Sequence, residues 1–181
     1  MSKVKDQKLK SLLEDKRGLY HTQDLAVLWG IDNPNTLYTT VRRYVARGFL
    51  NRIYKGYYSS VPLAEVDPFH LGVVALHGYG YVSTESVLAG HGVIAQDVKY
   101  ITLVSGFSKR FEINGFKFLS RKMKEEYLLN RAGVLVEHGV RRASVERAVA
   151  DMLYFNPDYH FDGKDFINWK KVREIQNTVG Y

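Results

Sequence analysis

The sequence predicts an α+β protein in two parts, a small helical unit closed by a β-hairpin and then a mixed α/β domain. Three observations predict it. Leu37, Val41, Tyr44 and Val45 recur at helical steps and are followed at once by strand chemistry, Leu50 to Tyr54 and Tyr57 to Ser59, split by Lys55-Gly56. A proline and small polar residues between Ser60 and Val66 break the pattern and mark a boundary, giving domains 1–62 and 63–181. Beyond it, apolar strand-like runs alternate with capped helical stretches.

Taken in order, Lys5 to Lys16 reads as an amphipathic helix with Leu9, Leu12 and Leu13 on one face and lysines outside, broken at Gly18. Leu19 and Tyr20 form a one-strand tie to the hairpin. Thr22 is expected to cap a helix from Gln23 to Trp29 that buries Leu25, Leu28 and Trp29 and ends at Gly30. After the IDNP turn comes the next helix, with Asn35 as its expected cap and Gly48 as its stop. Thr36, Thr39, Arg42, Arg43 and Arg47 fall on its polar side, and Arg52 and Lys55 follow on the hairpin. A basic helix leading into a basic hairpin is the layout of a winged helix-turn-helix, in which the helix enters the major groove and the wing follows the phosphates. The candidate DNA-binding residues are therefore Thr36, Tyr38, Thr39, Arg42, Arg43, Arg47, Arg52 and Lys55.

In the second part, Asp67-Pro68 opens a helix running to about His77 that buries Phe69, Val73, Val74 and Leu76, with Gly78 and Gly80 as stops. Thr84 caps a short helix from Glu85 to Ala89 that ends at Gly90-His91-Gly92. Lys99 to Ser105 reads as a buried strand, and Phe111 to Ser120 as a hairpin turned at Asn114-Gly115. Val134 to Glu137 is a further strand, Ser144 caps a helix from Val145 to Tyr154, and Trp169, Val172 and Ile175 mark a last amphipathic helix.

The charge is unevenly divided. Residues 1–62 hold 11 Lys/Arg against 5 Asp/Glu, a balance of +6, and residues 63–181 hold 15 against 14, a balance of +1. The excess sits where the DNA reader is expected, and a cationic surface gains affinity for polyanions by releasing their counterions. With 45% apolar residues and 13% aromatics the chain can bury a core. No apolar run is long enough to span a bilayer, the basic start lacks a signal-peptide apolar segment, and there are no cysteines, so a cytoplasmic protein with no membrane partner is expected.

Three stretches resemble the AbiEi family of antitoxins: LNRIYKGYYSS its wing, YVSTESVLAGHGVI its Ser-x-Glu-Ser segment, and GVRRASVERAVADML its Glu-Arg-Ala helix. They occur in the family's order, over about residues 10 to 155. The resemblance implies a type IV toxin–antitoxin role. The first domain would repress the operon at promoter inverted repeats, and the second would oppose a nucleotidyltransferase-like toxin, without a stable complex. A monomer or weak dimer is expected. Glu85, Ser86, His91, Glu146 and Arg147 are the motifs' polar members, for which capping by Ser83 or Thr84 and an intra-domain Glu146–Arg pair are expected. The chain stops soon after the Ser144 helix, a departure from relatives with longer C-terminal extensions.

Other chemistry is less well served, and neither an enzyme, a cofactor nor a metal is expected. His21, His70, His77, His91, His138 and His160 are scattered, without paired ligand spacing. Glycines follow helices rather than leading from strand into helix, so no phosphate loop is formed. Neither Ser83 nor Ser86 sits in a nucleophile elbow. The alternative is a metal-dependent nucleic-acid-processing enzyme: Pro157-Asp158 and Asp162-Gly163-Lys164 have the residue types of a nuclease site, but crowded into one loop.

Overall fold

The computed structural model describes residues 2–15, 17–77, 79–137 and 139–181, with side chains from Gln7 onward. The expectations placed on Lys16, Gly78 and His138 lie outside the described residues. The protein is α+β, and its chain divides into two compact units, 1–66 and 67–181.

Among its described residues the first unit holds the α-helices α1 (Ser2–Glu14), α2 (Thr22–Trp29) and α3 (Pro34–Ala46), and a three-stranded antiparallel sheet, β1 (Leu19–His21), β2 (Asn51–Tyr54) and β3 (Tyr57–Ser59), in the order β1-β3-β2. The tie strand pairs Tyr20 with Tyr58 and His21 with Tyr57. Leu12, Tyr20, Leu25, Trp29, Leu37 and Tyr44 converge on one core, with Trp29 and Tyr44 rings 4.8 Å apart. Two caps differ from expectation by one or two residues. His21, not Thr22, caps α2: its Nδ1 accepts from the Gln23 N–H, and Asp24 returns a bond to the His21 N–H at 2.7 Å. Asn33, not Asn35, caps α3, because Pro34 suits the first helical position and moves the start forward.

The second unit is a six-stranded mixed sheet in the order β6-β7-β5-β4-β9-β8. Its strands are β4 (Gly80–Val82), β5 (Ile101–Ser105), β6 (Lys109–Ile113), β7 (Phe116–Lys122), β8 (Val134–Glu137) and β9 (Val140–Ala143). Helices α4 (Pro68–Ala75), α5 (Glu85–Gly90), α6 (Glu125–Leu129), α7 (Val145–Phe155) and α8 (Trp169–Val179) complete it. Asn114 and Gly115 both have positive φ (51° and 80°), the left-handed pair that the two-residue β6–β7 turn requires. Leu71, Val82, Leu88, Leu103, Phe118 and Val149 form the centre of the core.

Helix α4 stops at Ala75, two residues short of His77, and its buried face is Leu71, Gly72, Val73 and Ala75, while Phe69 and Val74 are only half-buried. Gly80 opens β4 rather than ending a helix. A Cβ there would lie 2.8 Å from the Val104 carbonyl, so only glycine lets β4 and β5 close.

Candidate functional site

Helix α3 turns Leu37, Thr40, Val41 and Tyr44 inward. At 3.6 residues per turn, Asn35, Thr39, Arg42 and Ala46 then form the stripe furthest from the core. Thr36, Arg43 and Arg47 flank it on one side and Tyr38, 60% exposed, on the other. All eight are exposed. Arg42 therefore points more directly outward than Arg43, a choice that the sequence left open. Asn35, released from capping, joins the stripe and is a surface residue that sequence reasoning missed.

The hairpin is fixed against α2. Gly56, at φ 79°, makes the turn, and its carbonyl accepts from both the Thr22 N–H at 2.8 Å and the Thr22 hydroxyl at 3.0 Å. The His21 and Tyr57 rings lie 4.8 Å apart beneath it. Lys55 is exposed at the tip, and Arg52, exposed on β2, opposes Tyr58 on β3. The eight sequence-predicted residues thus occupy two adjoining elements of one unit, α3 and the hairpin.

The electrostatics of these elements are one-sided. From Asn33 to Pro62 there are five cations and no carboxylate. Among the described residues, Arg42, Arg43, Arg47, Arg52 and Lys55 enter no ion pair. Arg47 lies over the Phe49 ring at 4.7 Å, which steadies it while leaving its donors open. Arg17, by contrast, is engaged by Asp15 at 2.7 Å and Asp24 at 3.7 Å, and its hydrogen bond holds the Asp15 carboxyl below its usual range.

The second unit carries a buried polar network that the sequence did not announce. Arg147 and Asp151, both fully buried on α7, pair at 2.8 Å. Asp151 also accepts from Tyr81 at 3.0 Å, from Ser83 at 2.7 Å and from Tyr181. Arg147 spends its remaining donors on Tyr81 Oη and on the carbonyls of Tyr127, Asn130 and Ala132. Burial is the largest single influence and opposes the Arg147 charge, but Asp151 together with the Tyr81 and Tyr181 phenols outweighs it, so its pKa moves up. Every donor is used, which makes the cluster a clamp joining β4, α6, α7 and Tyr181.

This clamp has a pH signature. Burial, reinforced by Asp151, pushes the phenols of Tyr81 and Tyr181 above their ordinary 10.0. A raised folded-state pKa contributes stability that is complete below the unfolded value and lost as pH rises through the folded one. The second unit is therefore expected to lose stability progressively above pH 10. Urea unfolding followed across that range should show the loss, and Tyr181→Phe should flatten it.

The remaining motif residues are also occupied. Thr84 stands at the N-terminus of α5 but caps nothing: its φ is 54° and its hydroxyl is buried without a partner. Ser83 serves Asp151 instead of a cap, and Ser86 exchanges bonds with Thr102 at 2.8 and 2.9 Å. Glu85 pairs with Arg121, and His91 Nδ1 meets the Val87 carbonyl at 2.8 Å. Glu146 pairs with Lys171 at 3.6 Å, not with an arginine. Ser144 caps α7 as expected.

The nuclease-like residues do not converge. Asp158 lies in a turn, Asp162 accepts from the Ala95 N–H at 2.8 Å, and both belong to the loop between α7 and α8 rather than to neighbouring strands. No group of three or more His, Asp or Glu stands together among the described residues. No described helix is long and apolar enough to cross a membrane.

No protein-family model matches the chain, and no curated protein does. Among solved structures, the crystal structure of the RV2827C protein from Mycobacterium tuberculosis matches with a TM-score of 0.54 at 12% identity, over 98% of this chain and 72% of that one. At that identity the likeness is one of fold: the same mixed helix-and-sheet architecture extends over nearly the whole chain.

Proposed function

We propose that residues 1–62 form a winged helix-turn-helix that binds duplex DNA, with α3 in the major groove and the β2–β3 hairpin along the backbone. One observation carries this reading: the exposed side of α3 and the adjoining hairpin present five cations, none of them in an ion pair among the described residues, in a stretch without a carboxylate. Arg42 and Asn35, furthest from the core, read base edges, since guanidinium suits guanine and a carboxamide suits adenine. Thr36, Tyr38 and Thr39 meet bases or phosphates near the helix start, and Arg43 and Arg47 line the groove. Arg52 and Lys55 hold the backbone.

The family resemblance supports the biological setting. In this reading the chain is the antitoxin and autorepressor of a type IV toxin–antitoxin operon. It recognises inverted repeats in its own promoter, and the second unit opposes a nucleotidyltransferase-like toxin. Fluorescence anisotropy with the duplex upstream of its own gene, against a scrambled duplex, tests the first half. Tighter binding to the upstream duplex is expected, and equal affinity for both removes the repressor role. Co-expression with the neighbouring toxin and a growth readout tests the second half.

The wing has its own test. Lys55→Ala is expected to weaken all duplexes alike and to reduce the salt slope of binding by about 1. A change in sequence preference would remove Lys55 from the backbone.

A further inference from the structure

A cleft of ≈ 80 Å³ opens in the second unit between the end of α6 with its following loop, strands β8 and β9, and the start of β4. Leu128, Leu129 and Val134 give it an apolar lining, Tyr79 stands 71% exposed at its rim, and Arg131 and Arg141 complete its walls. No carboxylate is among the lining residues. Val82 pairs with Arg142 in the parallel β4–β9 register, which sets Arg141 beside Tyr81 on one face of the sheet. That face is braced by the clamp, since Tyr81 Oη and the Asn130 carbonyl both accept from Arg147. The cleft is therefore built on a fixed frame.

Its arginines differ from the others of the unit. Among those that are not exposed, Arg121 pairs with Glu85, Arg142 lies over the Phe69 ring, and Arg147 spends its donors in the clamp. Arg141 is half-buried and Arg131 exposed, and among the described residues neither side chain has an ion pair, a hydrogen bond or a ring as partner. Two planar forks of N–H donors thus stand open beside an exposed phenol ring and aliphatic side chains. Together they match a molecule that carries both an anionic group and a flat ring.

We propose that this cleft binds a small organic phosphate bearing a flat ring, the chemistry of a mononucleotide. Arg141 and Arg131 take the phosphate, and the ring stacks on Tyr79 with Leu129, 65% exposed, against its edge. Charge and valence select a phosphate over a carboxylate. A phosphate monoester carries about −1.5 to −2 charges and three acceptor oxygens, enough to serve two guanidiniums, whereas a carboxylate is satisfied by one. A cleft of ≈ 80 Å³ seats the phosphate and leaves the ring over the rim, where the exposed aromatic stands. Only residues of the second unit take part, so the proposal stands or falls apart from the DNA-binding reading.

Isothermal titration calorimetry of the full-length chain with adenosine, guanosine, cytidine and uridine monophosphate is expected to show saturable binding of at least one at millimolar concentration or below. The matching nucleoside and inorganic phosphate, each lacking one half of the ligand, should bind more weakly by about tenfold or more. Arg141→Gln should weaken the monophosphate by about tenfold or more, and so should Arg131→Gln, whose exposed position leaves the fold intact by circular dichroism. Tyr79→Ala should weaken the monophosphate and leave inorganic phosphate as it was. Arg42→Ala combined with Arg43→Ala should bind like wild type, which separates the cleft from the basic helix. Absence of saturable binding by all four monophosphates overturns the proposal. So does binding that both Arg141→Gln and Arg131→Gln leave unchanged, inorganic phosphate as tight as the best monophosphate, or affinity lost with Arg42 and Arg43.

Discussion

Asp151→Ala is expected to destabilise the second unit by about 3–5 kcal/mol, the cost of leaving a buried charge without its partner. The carboxylate accepts from buried Arg147, Tyr81 and Ser83 and from half-buried Tyr181, and its removal orphans four donors at once while Arg147 keeps an uncompensated charge. Arg147→Met should cost less, because Asp151 would retain three hydroxyl donors, and the acceptors that lose bonds, Tyr81 Oη and the carbonyls on α6 and its following loop, are uncharged. Removing both together, Arg147→Met with Asp151→Leu, should cost less than the two single changes added, since neither charge is then stranded. Urea unfolding of the four proteins gives the comparison. A loss for Asp151→Ala within about 1 kcal/mol of wild type, the range of an exposed pair, would show that the clamp is dispensable.

Arg42→Ala combined with Arg43→Ala is expected to lower affinity for the promoter duplex by about a hundredfold or more, with little change in stability. Each guanidinium that reaches guanine O6 and N7 discriminates by about 1–3 kcal/mol, and both side chains are exposed, so the fold owes them little. Of the single variants, Arg42→Ala should lose more preference for promoter over scrambled duplex, because Arg42 lies on the outermost stripe of α3 with Thr39 and Asn35. Anisotropy against both duplexes separates the cases. A promoter-to-scrambled ratio that neither change alters would take α3 out of the groove.

How far the sequence disclosed this structure depended on whether a signal was local. The buried face of α3 was legible because Leu37, Val41 and Tyr44 keep the helical period, and the two hairpins because Lys55-Gly56 and Asn114-Gly115 supply the positive φ that tight turns need. The caps of α2 and α3 were read one or two residues late, since Thr22 and Asn35 have capping side chains but His21 and Asn33 stand where the backbone turns. Strand β9 was missed because Val-Arg-Arg-Ala lacks an apolar run. It is a strand by virtue of its neighbours, with Val140 and Ala143 buried and Arg142 lying over the Phe69 ring at 5.2 Å.

The candidate surface was legible for the same reason as α3 itself: polar positions on a periodic helix are those left over by its apolar ones. The Arg147–Asp151 clamp was not. Its members come from residues 81, 83, 147, 151 and 181, and only the four-residue step between Arg147 and Asp151 is visible in the sequence. That step ordinarily marks a pair on a helix surface. The surrounding Ala148, Val149, Ala150 and Met152 were the available hint that it faces inward.

The central claim is that α3 and the hairpin hold duplex DNA through Arg42, Arg43, Arg47, Arg52 and Lys55. The salt dependence of duplex binding by the full-length chain tests it most directly. With Arg47, Arg52 and Lys55 on phosphates and Arg42 and Arg43 at base edges, the logarithm of the association constant should fall against the logarithm of salt concentration with a slope of about −3 per bound chain. The slope should shrink stepwise as Arg47, Arg52 and Lys55 are replaced by alanine. No measurable binding at low salt, or a slope that survives all three replacements, would contradict this arrangement.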